Sequence, residues 1–305
     1  MRLKRIKGLG LPYMGSKRKI ASEIVDFILK ENPNAKYLYD MFGGGGAISL
    51  EAMQRKQIKQ VFYNELNTGV VSLLRDIKEN GVSDKYYNWI DRDTFIKNKN
   101  KDDLLGGICK VVWSFGSNQR DYLFSKEIEE DKRLLHEVVV NECQNSLTIF
   151  NEKYSTDIEM HDPKSLFMDE NRTQRRRRIV RRIKNTIGRL EFERLQQFER
   201  LQQLEQLQQL EQLEIFNLSY LDVEINTPVS ETIIYLDPPY ENTAKYALSV
   251  DHNELYKYIK NNPYKIYLSS YESDLKCVLE IKHTSSLSQT SVKEVVERIF
   301  VHEAE

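Results

Sequence analysis

The residues best suited to chemistry are Asp237, Pro238, Pro239 and Tyr240, which directly follow the apolar run Ile233-Ile234-Tyr235-Leu236. A carboxylate, two prolines and an aromatic ring thus stand at the mouth of an expected strand, where proline fixes a rigid loop and cannot continue the ladder. Such a tetrapeptide suits a flat substrate bearing an amine. Asp237 and the carbonyl of Pro238 can both accept hydrogen bonds from an amino group and orient its lone pair, while Tyr240 offers a ring on which a heterocycle can stack. No strong base is required if the partner is a methylsulfonium, which is already a good electrophile, because positioning alone lowers the barrier. A proline turn capped by an acid is the bland alternative for any single tetrapeptide of this kind.

A second group makes that alternative less attractive. In Asp40-Met41-Phe42-Gly43-Gly44-Gly45-Gly46 the glycines allow positive φ and a close approach of backbone to ligand at the carboxyl end of a strand. The spacing is not that of a nicotinamide fingerprint, since Ser49 stands where the third glycine would pack helix on strand, and an acid precedes the turn. Asp40 can hold an ammonium. Glu65, ending the next expected strand, can accept hydrogen bonds from two ribose hydroxyls.

The elements that must position these residues follow from periodicity. Residues 20–29 carry apolar side chains at the three-and-four spacing of an amphipathic helix, and 36–41 read as a strand ending against the glycines. A helix over 47–53, a strand over 60–64 and a helix over 68–78 come next, the pattern of parallel strands joined by crossover helices. From about 85 to 215 the chain is polar, charged and helical in composition, and strand signals return at 214–218, 232–236, 265–269 and near the end. The fold class is therefore α/β, a sheet with helices on both faces, interrupted by a mostly helical insertion.

Within 190–216 apolar residues recur every third position, from Leu195 and Phe198 through Leu201, Leu204, Leu207, Leu210 and Leu213 to Phe216. Leucine, glutamine and glutamate favour helix, yet a period of three rotates the apolar stripe around an α-helix and is not the 3.5 of a coiled coil. A helix contacted on several sides is expected, with a stacked short-period solenoid as the alternative, and its simplest role is a spacer between lobes.

Composition bounds the rest. The chain has 305 residues, 40% hydrophobic and 30% charged, enough for one sizeable core plus a second lobe. It has no apolar run long enough to span a membrane and no apolar stretch behind its basic start, so neither a membrane partner nor a secretory signal is expected, and a cytoplasmic setting is. Three distant cysteines match neither a disulfide framework nor zinc spacing, so no metal is expected. The net charge of −1 does not by itself point to nucleic acid, but the charges are uneven. Basic residues gather at the start (Arg2, Lys4, Arg5, Lys7, Lys17, Arg18, Lys19) and in the middle (Arg172, Arg175, Arg176, Arg177, Arg178, Arg181, Arg182, Lys184, Arg189).

Taken together, these motifs resemble the Dam-like class of adenine-specific DNA methyltransferases. The segments LPYMGSKRKIASEI, DMFGGGGAISLE, YNELN, YLDPPY and SVKEVVERIF look like that family's motifs in the same order, and VVWSFGSNQRDYLFSKEIEEDK resembles the start of its recognition region. The resemblance implies a Rossmann-like S-adenosylmethionine methyltransferase sheet: a cofactor-binding half over 1–85, a target-recognition domain over 86–189, the leucine-glutamine tract over 190–213 and a catalytic half over 214–305. It implies that Tyr13, Lys17, Glu65 and Asp237 bind S-adenosylmethionine, with Asp40, Phe42, Gly44 and Gly46 at its methionine end, and that Asp237, Pro238, Pro239 and Tyr240 form the catalytic loop that holds adenine. Glu65 stands where the family often has aspartate, one methylene shorter. The implied partner is double-stranded DNA, in a bacterial or phage-infected cell, and a cognate restriction endonuclease is a further partner the resemblance allows. A paired adenine cannot reach a sulfonium, so base flipping is implied, with Arg175 to Arg178, Arg181 and Arg182 gripping phosphates and residues 113–126 reading base edges. Methylation of another planar amino group, in cytosine or RNA adenine, and a non-catalytic DNA-binding scaffold are the competing readings.

Overall fold

The computed structural model describes residues 8–159, 172–187, 200, 201, 203, 204, 206, 207, 210–239, 250–288 and 291–303. Tyr240, Arg189 and the basic residues before Gly8 lie outside the described residues, as does most of the leucine-glutamine tract.

Seven strands among the described residues form one sheet: β1 (Tyr37–Asp40), β2 (Gln60–Asn64), β3 (Leu213–Phe216), β4 (Thr232–Leu236), β5 (Lys265–Ser270), β6 (Lys276–Ser288) and β7 (Ser291–His302). Their order is β3-β2-β1-β4-β5-β7-β6. The first five run parallel, while β7 pairs antiparallel with both β5 and β6. The chain builds outward from β1 through β2 to β3, then returns to β4 on the other side of β1. That reversal opens a crevice at the carboxyl ends of β1 and β4, the place where open α/β sheets bind ligands. Asp40 and Asp237 end there because of where their strands stop: Asp40 is the last residue of β1, in register with Tyr235, and Asp237 follows the last residue of β4.

Strand alternation sends Leu38, Val61 and Tyr63 to one face and Tyr39, Phe62 and Ile234 to the other. The first face is covered by α1 (Ala21–Glu31), α2 (Ala47–Met53) and α3 (Thr68–Asn80), whose buried residues include Ile24, Val25, Ile28, Leu50, Val70 and Leu74. On the second face Leu255 and Ile259 pack from a later helix, His252–Lys260, together with Tyr220 and Val223. Helices therefore lie on both faces of a Rossmann-like α/β sheet. β6 and the helix at His252–Lys260 were not among the expected elements. The alternation in β6 is broken by charged and hydroxyl side chains, and its place in the sheet comes from pairing with β7.

Helices are the main elements of residues 86–159 and 172–187, as composition suggests: α4 (Arg92–Asn98), α5 (Leu104–Val112), α6 (Lys126–Val139), α7 (Gln144–Tyr154) and α8 (Arg172–Ile187). Side-chain caps start two of them, Asp91 accepting from the amide of Thr94 at 2.7 Å and Asp103 from that of Gly106 at 2.8 Å. The apolar core is continuous across residue 85, because α5 lies directly on α3. A Cβ on Gly107 would sit 2.1 Å from the carbonyl oxygen of Gly69, so this approach requires glycine. Trp89, Trp113, Tyr122, Phe124 and His136 form an aromatic cluster beside it. Burial lowers the pKa of His136 to about 4, which keeps that ring neutral within the core.

The described part of the leucine-glutamine tract is not a solvated spacer. Leu201, Leu204, Leu207, Leu210 and Leu213 are all buried in the same core. After helical residues up to Leu204, the amides of Gln206, Leu207 and Leu213 bond to carbonyls three residues back. Each such bond closes a single turn. Arg200, also buried, donates to the carbonyls of Val112 and Ser114 at the end of α5.

Candidate active site

The crevice is a cavity of about 590 Å³. Tyr13, Lys17, Asp40, Phe42, Gly44, Glu65, Asp237, Pro238 and Pro239 all line it, so residues far apart in sequence meet in one place. Gly46 is not among the lining residues; with φ +72° it starts α2 in left-handed backbone.

The glycine turn is built by close packing. A Cβ on Gly43 would meet the Tyr63 ring at 2.2 Å, one on Gly45 would meet the Leu11 carbonyl oxygen at 2.7 Å, and one on Gly44 (φ +50°) would press on the Tyr13 ring. The Tyr63 hydroxyl donates to the Gly44 carbonyl at 2.7 Å, and the Leu11 amide donates to that of Gly45 at 2.7 Å. Glu65 completes the turn. One of its oxygens accepts from the Gly44 amide and the other from the Asn67 amide, each at 2.8 Å. Burial raises the Glu65 pKa, against the pull of those bonds.

Asp40 is buried and accepts from the Ser49 hydroxyl at 2.7 Å. The serine that replaces the third glycine of a nicotinamide fingerprint therefore holds the acid that precedes the turn. Burial, and after it the neighbouring charges of Asp237 and Glu65, push the Asp40 pKa up to about 7, although the bonds from Ser49 oppose this. Lys17 reaches the site from the 3₁₀ turn Lys17–Lys19. Its Nζ lies 2.8 Å from Asp237 Oδ1 and 3.6 Å from Glu297 Oε1. Burial works against a charge on Lys17, but the two carboxylates more than offset it and hold its pKa above the ordinary lysine range.

Residues beyond those assigned the main roles also shape the site. Phe42 and Tyr220 form an aromatic wall, their centroids 5.1 Å apart. Asn64 ties three segments together by donating to the carbonyls of Met41 and Leu218 and accepting from the Leu218 amide. Asn67 accepts from Lys110 Nζ at 2.9 Å and donates to Gln119 Oε1 at 2.7 Å, linking the end of β2 to a loop of the helical region. That loop, between Ser114 and Tyr122, has positive φ at Gly116, Ser117 and Gln119. Ser117, Asn118, Gln119 and Arg120 line the cavity that Asp237 lines. Glu297 had the clearest missed signal: in Val295-Glu297-Ile299-Val301 an acid occupies an inward position of an apolar alternation.

The basic cluster on α8 divides by face. Ile179, Val180, Ile183 and Arg176 are buried, while Gln174, Arg177, Arg181 and Asn185 form an exposed stripe and Arg178 and Arg182 are half-buried. Arg176 departs from the phosphate-gripping role expected of it: its guanidinium lies 3.9 Å over the Tyr87 ring and donates to Asp84 and the Val140 carbonyl. Arg175 is half-buried and paired with Glu142 at 3.2 Å, and Arg182 donates to the Glu159 carbonyl.

Residues 13–294 match the family model of the D12 class N6 adenine-specific DNA methyltransferases. Among solved structures, one described as a methylase, HI0767 of Haemophilus influenzae, is 14% identical with a TM-score of 0.32, covering 96% of this chain and 92% of that one. Another, described as the methyltransferase yhhF of Escherichia coli, is 12% identical with a TM-score of 0.33, covering 97% and 92%. No curated protein matches the chain. No helix among the described residues is long and apolar enough to cross a membrane.

Proposed function

The chain belongs to the D12 class of N6 adenine-specific DNA methyltransferases, and from that premise we propose that it methylates the exocyclic amino group of adenine in duplex DNA, using S-adenosylmethionine and flipping the base out of the stack. One observation carries this reading: Asp237, the glycine turn with Glu65, and the polar loop 117–120 all border a single cavity.

The lining residues fit a cationic methyl donor. Asp40, Glu65, Asp237, Asp251 and Glu254 outnumber Lys17, Lys110 and Arg120 there, and the glycine turn presents backbone without side chains. Asp40 would hold the donor's ammonium and Glu65 its ribose, and the donor supplies an electrophilic methyl group beside Asp237. Lys17 fixes Asp237 Oδ1, and the Asp237 carboxylate and the Pro238 carbonyl would accept from the adenine amino group and aim its lone pair. The phenyl ring of Phe42 and the ring of Tyr220 bound the space where planar groups stack. Flipping costs on the order of a few kcal/mol, which contacts from loop 114–122 and the arginine stripe of α8 would offset.

Cells expressing the chain should carry methylated adenines in one short sequence motif, read by single-molecule sequencing of their genomic DNA. Soluble protein with no modified adenine would reject the reading in favour of another amino substrate.

A pH effect follows from Asp40. Its raised pKa means that it holds its proton in the ligand-free protein below about 7, whereas a docked ammonium favours the anionic form. Affinity for S-adenosylmethionine should therefore rise as pH increases from about 5.5 to 7, with net proton release on binding. Calorimetry in two buffers of different ionisation heat reads that release. Asp40→Asn should weaken binding and remove the pH dependence, and a wild-type affinity that is flat across this window would exclude Asp40 as the ammonium partner.

A further inference from the structure

The loop between Ser114 and Tyr122 is braced from within and from without. The Phe115 amide donates to the Asp121 carbonyl at 2.7 Å, and Asn118 Oδ1 accepts from the amides of Arg120 and Asp121, which together fix the loop's shape. Arg200 holds its root by donating to the Ser114 carbonyl at 2.5 Å. Gln119 ties it to the end of β2 through Asn67. The oxygen of the Asn67 side chain is taken by Lys110 Nζ at 2.9 Å and the Val70 amide at 3.4 Å, both of which can only donate. The amide nitrogen of Asn67 must therefore face Gln119, and Gln119 answers with its oxygen at 2.7 Å. The backbone amide of Asn67 in turn donates to Glu65 Oε1 at 2.8 Å, so one residue holds both the Glu65 carboxylate and the loop. Ser117 and Gln119 have φ of +58° and +63°, a left-handed backbone that a residue with a Cβ keeps only where its surroundings hold it there.

Resting on the reading of the cavity as a site for adenine of duplex DNA, we propose that Gln119 is a positioning residue for target selection: its bond to Asn67 latches loop 114–122 in one arrangement over the cavity, and the sequence preference of the enzyme depends on that latch. Contacts to phosphates carry no sequence information and do not need the loop in one place. Contacts to base edges do, because their donors and acceptors must meet a fixed pattern. A loop already held loses little freedom when the duplex docks, whereas a released loop must be ordered at each encounter. Releasing the latch therefore burdens the complex with the target and spares the others. A loss of stability alone would lower activity on every duplex alike.

The test is kcat/KM for methylation of the target motif found by sequencing and of duplexes in which each of its other base pairs is exchanged singly. Wild type is compared with Gln119→Met, Gln119→Glu and Asn67→Ser. Gln119→Met keeps the length and removes the acceptor, so it should lower the value on the target by about fivefold, the scale of one neutral hydrogen bond. On one or more of the exchanged duplexes the fall should be less than about twofold, because the latch contributes little there. Gln119→Glu keeps an acceptor for Asn67, and its added charge acts on all duplexes alike, so the preference should stay within about twofold of wild type. Asn67→Ser keeps a capping oxygen for α3 but falls short of Gln119, and should reduce the preference as Gln119→Met does; it keeps the test open if Gln119→Met fails to fold. Equal losses on target and exchanged duplexes, a preference unmoved in every folded variant, or a preference that Gln119→Glu loses as fully as Gln119→Met overturns the proposal. Wild-type protein that methylates no duplex overturns the site reading beneath it instead.

Discussion

Asp237→Ala should lower turnover by about 10³-fold or more, the scale on which removal of one preorganised polar group from an active site is felt, while leaving a folded protein that still binds DNA. The first part follows from geometry. Asp237 stands at the switch point of the sheet, lines the cavity and is held in place by Lys17 at 2.8 Å. The second follows from charge. Removing Asp237 does not strand a buried lysine, because Lys17 keeps Glu297 at 3.6 Å. Breaking a buried pair outright would cost several kcal/mol, and here one partner remains. Asp237→Asn preserves shape, but with Lys17 on its single acceptor oxygen it turns an NH2 donor towards the amino group, so turnover should still fall by about 10²-fold or more. Turnover of either variant within tenfold of wild type, measured at saturating donor, would show that the methyl transfer is organised elsewhere.

How much of this was legible in the sequence depended on whether a residue's role was local. Asp40, Glu65 and Asp237 could be found because each ends a short apolar strand, and a strand end followed by glycine or proline is a local pattern. Lys17 was placed only by resemblance, since nothing in its own neighbourhood points to a residue 220 positions away. Tyr220 and Asn67 were illegible for the same reason: their neighbours Phe42 and Gln119 are brought to them by the sheet and by α5. The close approach of Gly69 and Gly107 explains why residues 86–159 read as a separate insertion yet pack into the common core. Two glycines on two helices carry no joint signal until the helices meet. For the leucine-glutamine tract the expected contacted helix agrees with the described residues up to Leu204, and the spacer role does not agree with their burial. A period of three does not keep one face of an α-helix, yet Leu204, Leu207, Leu210 and Leu213 are all buried, because single turns interrupt the described part of the segment after Leu204. Arg176 shows the limit of reading charge alone, because four consecutive arginines on a helix cannot all face solvent, and one of them stacks on Tyr87.

That division of α8 sets the second large effect. Arg177 and Arg181 lie four residues apart on the exposed stripe, one turn from each other and able to contact adjacent phosphates. If α8 supplies the backbone grip, the double substitution Arg177→Ala/Arg181→Ala should reduce the slope of log K against log salt concentration for duplex DNA by about two, since each phosphate contact contributes about 0.9. The loss should be nearly the same for target and non-target duplexes, because phosphate contacts carry no sequence information. Arg176→Ala should behave otherwise: it removes a buried cation over an aromatic ring, so its effect should fall on thermal stability, with the salt slope of the folded fraction unchanged. Fluorescence anisotropy across a salt series, with melting curves for each variant, separates the two. An unchanged slope in the double variant would move the DNA surface away from α8 and leave loop 114–122, with Arg120 at the cavity mouth, as the place to look for it.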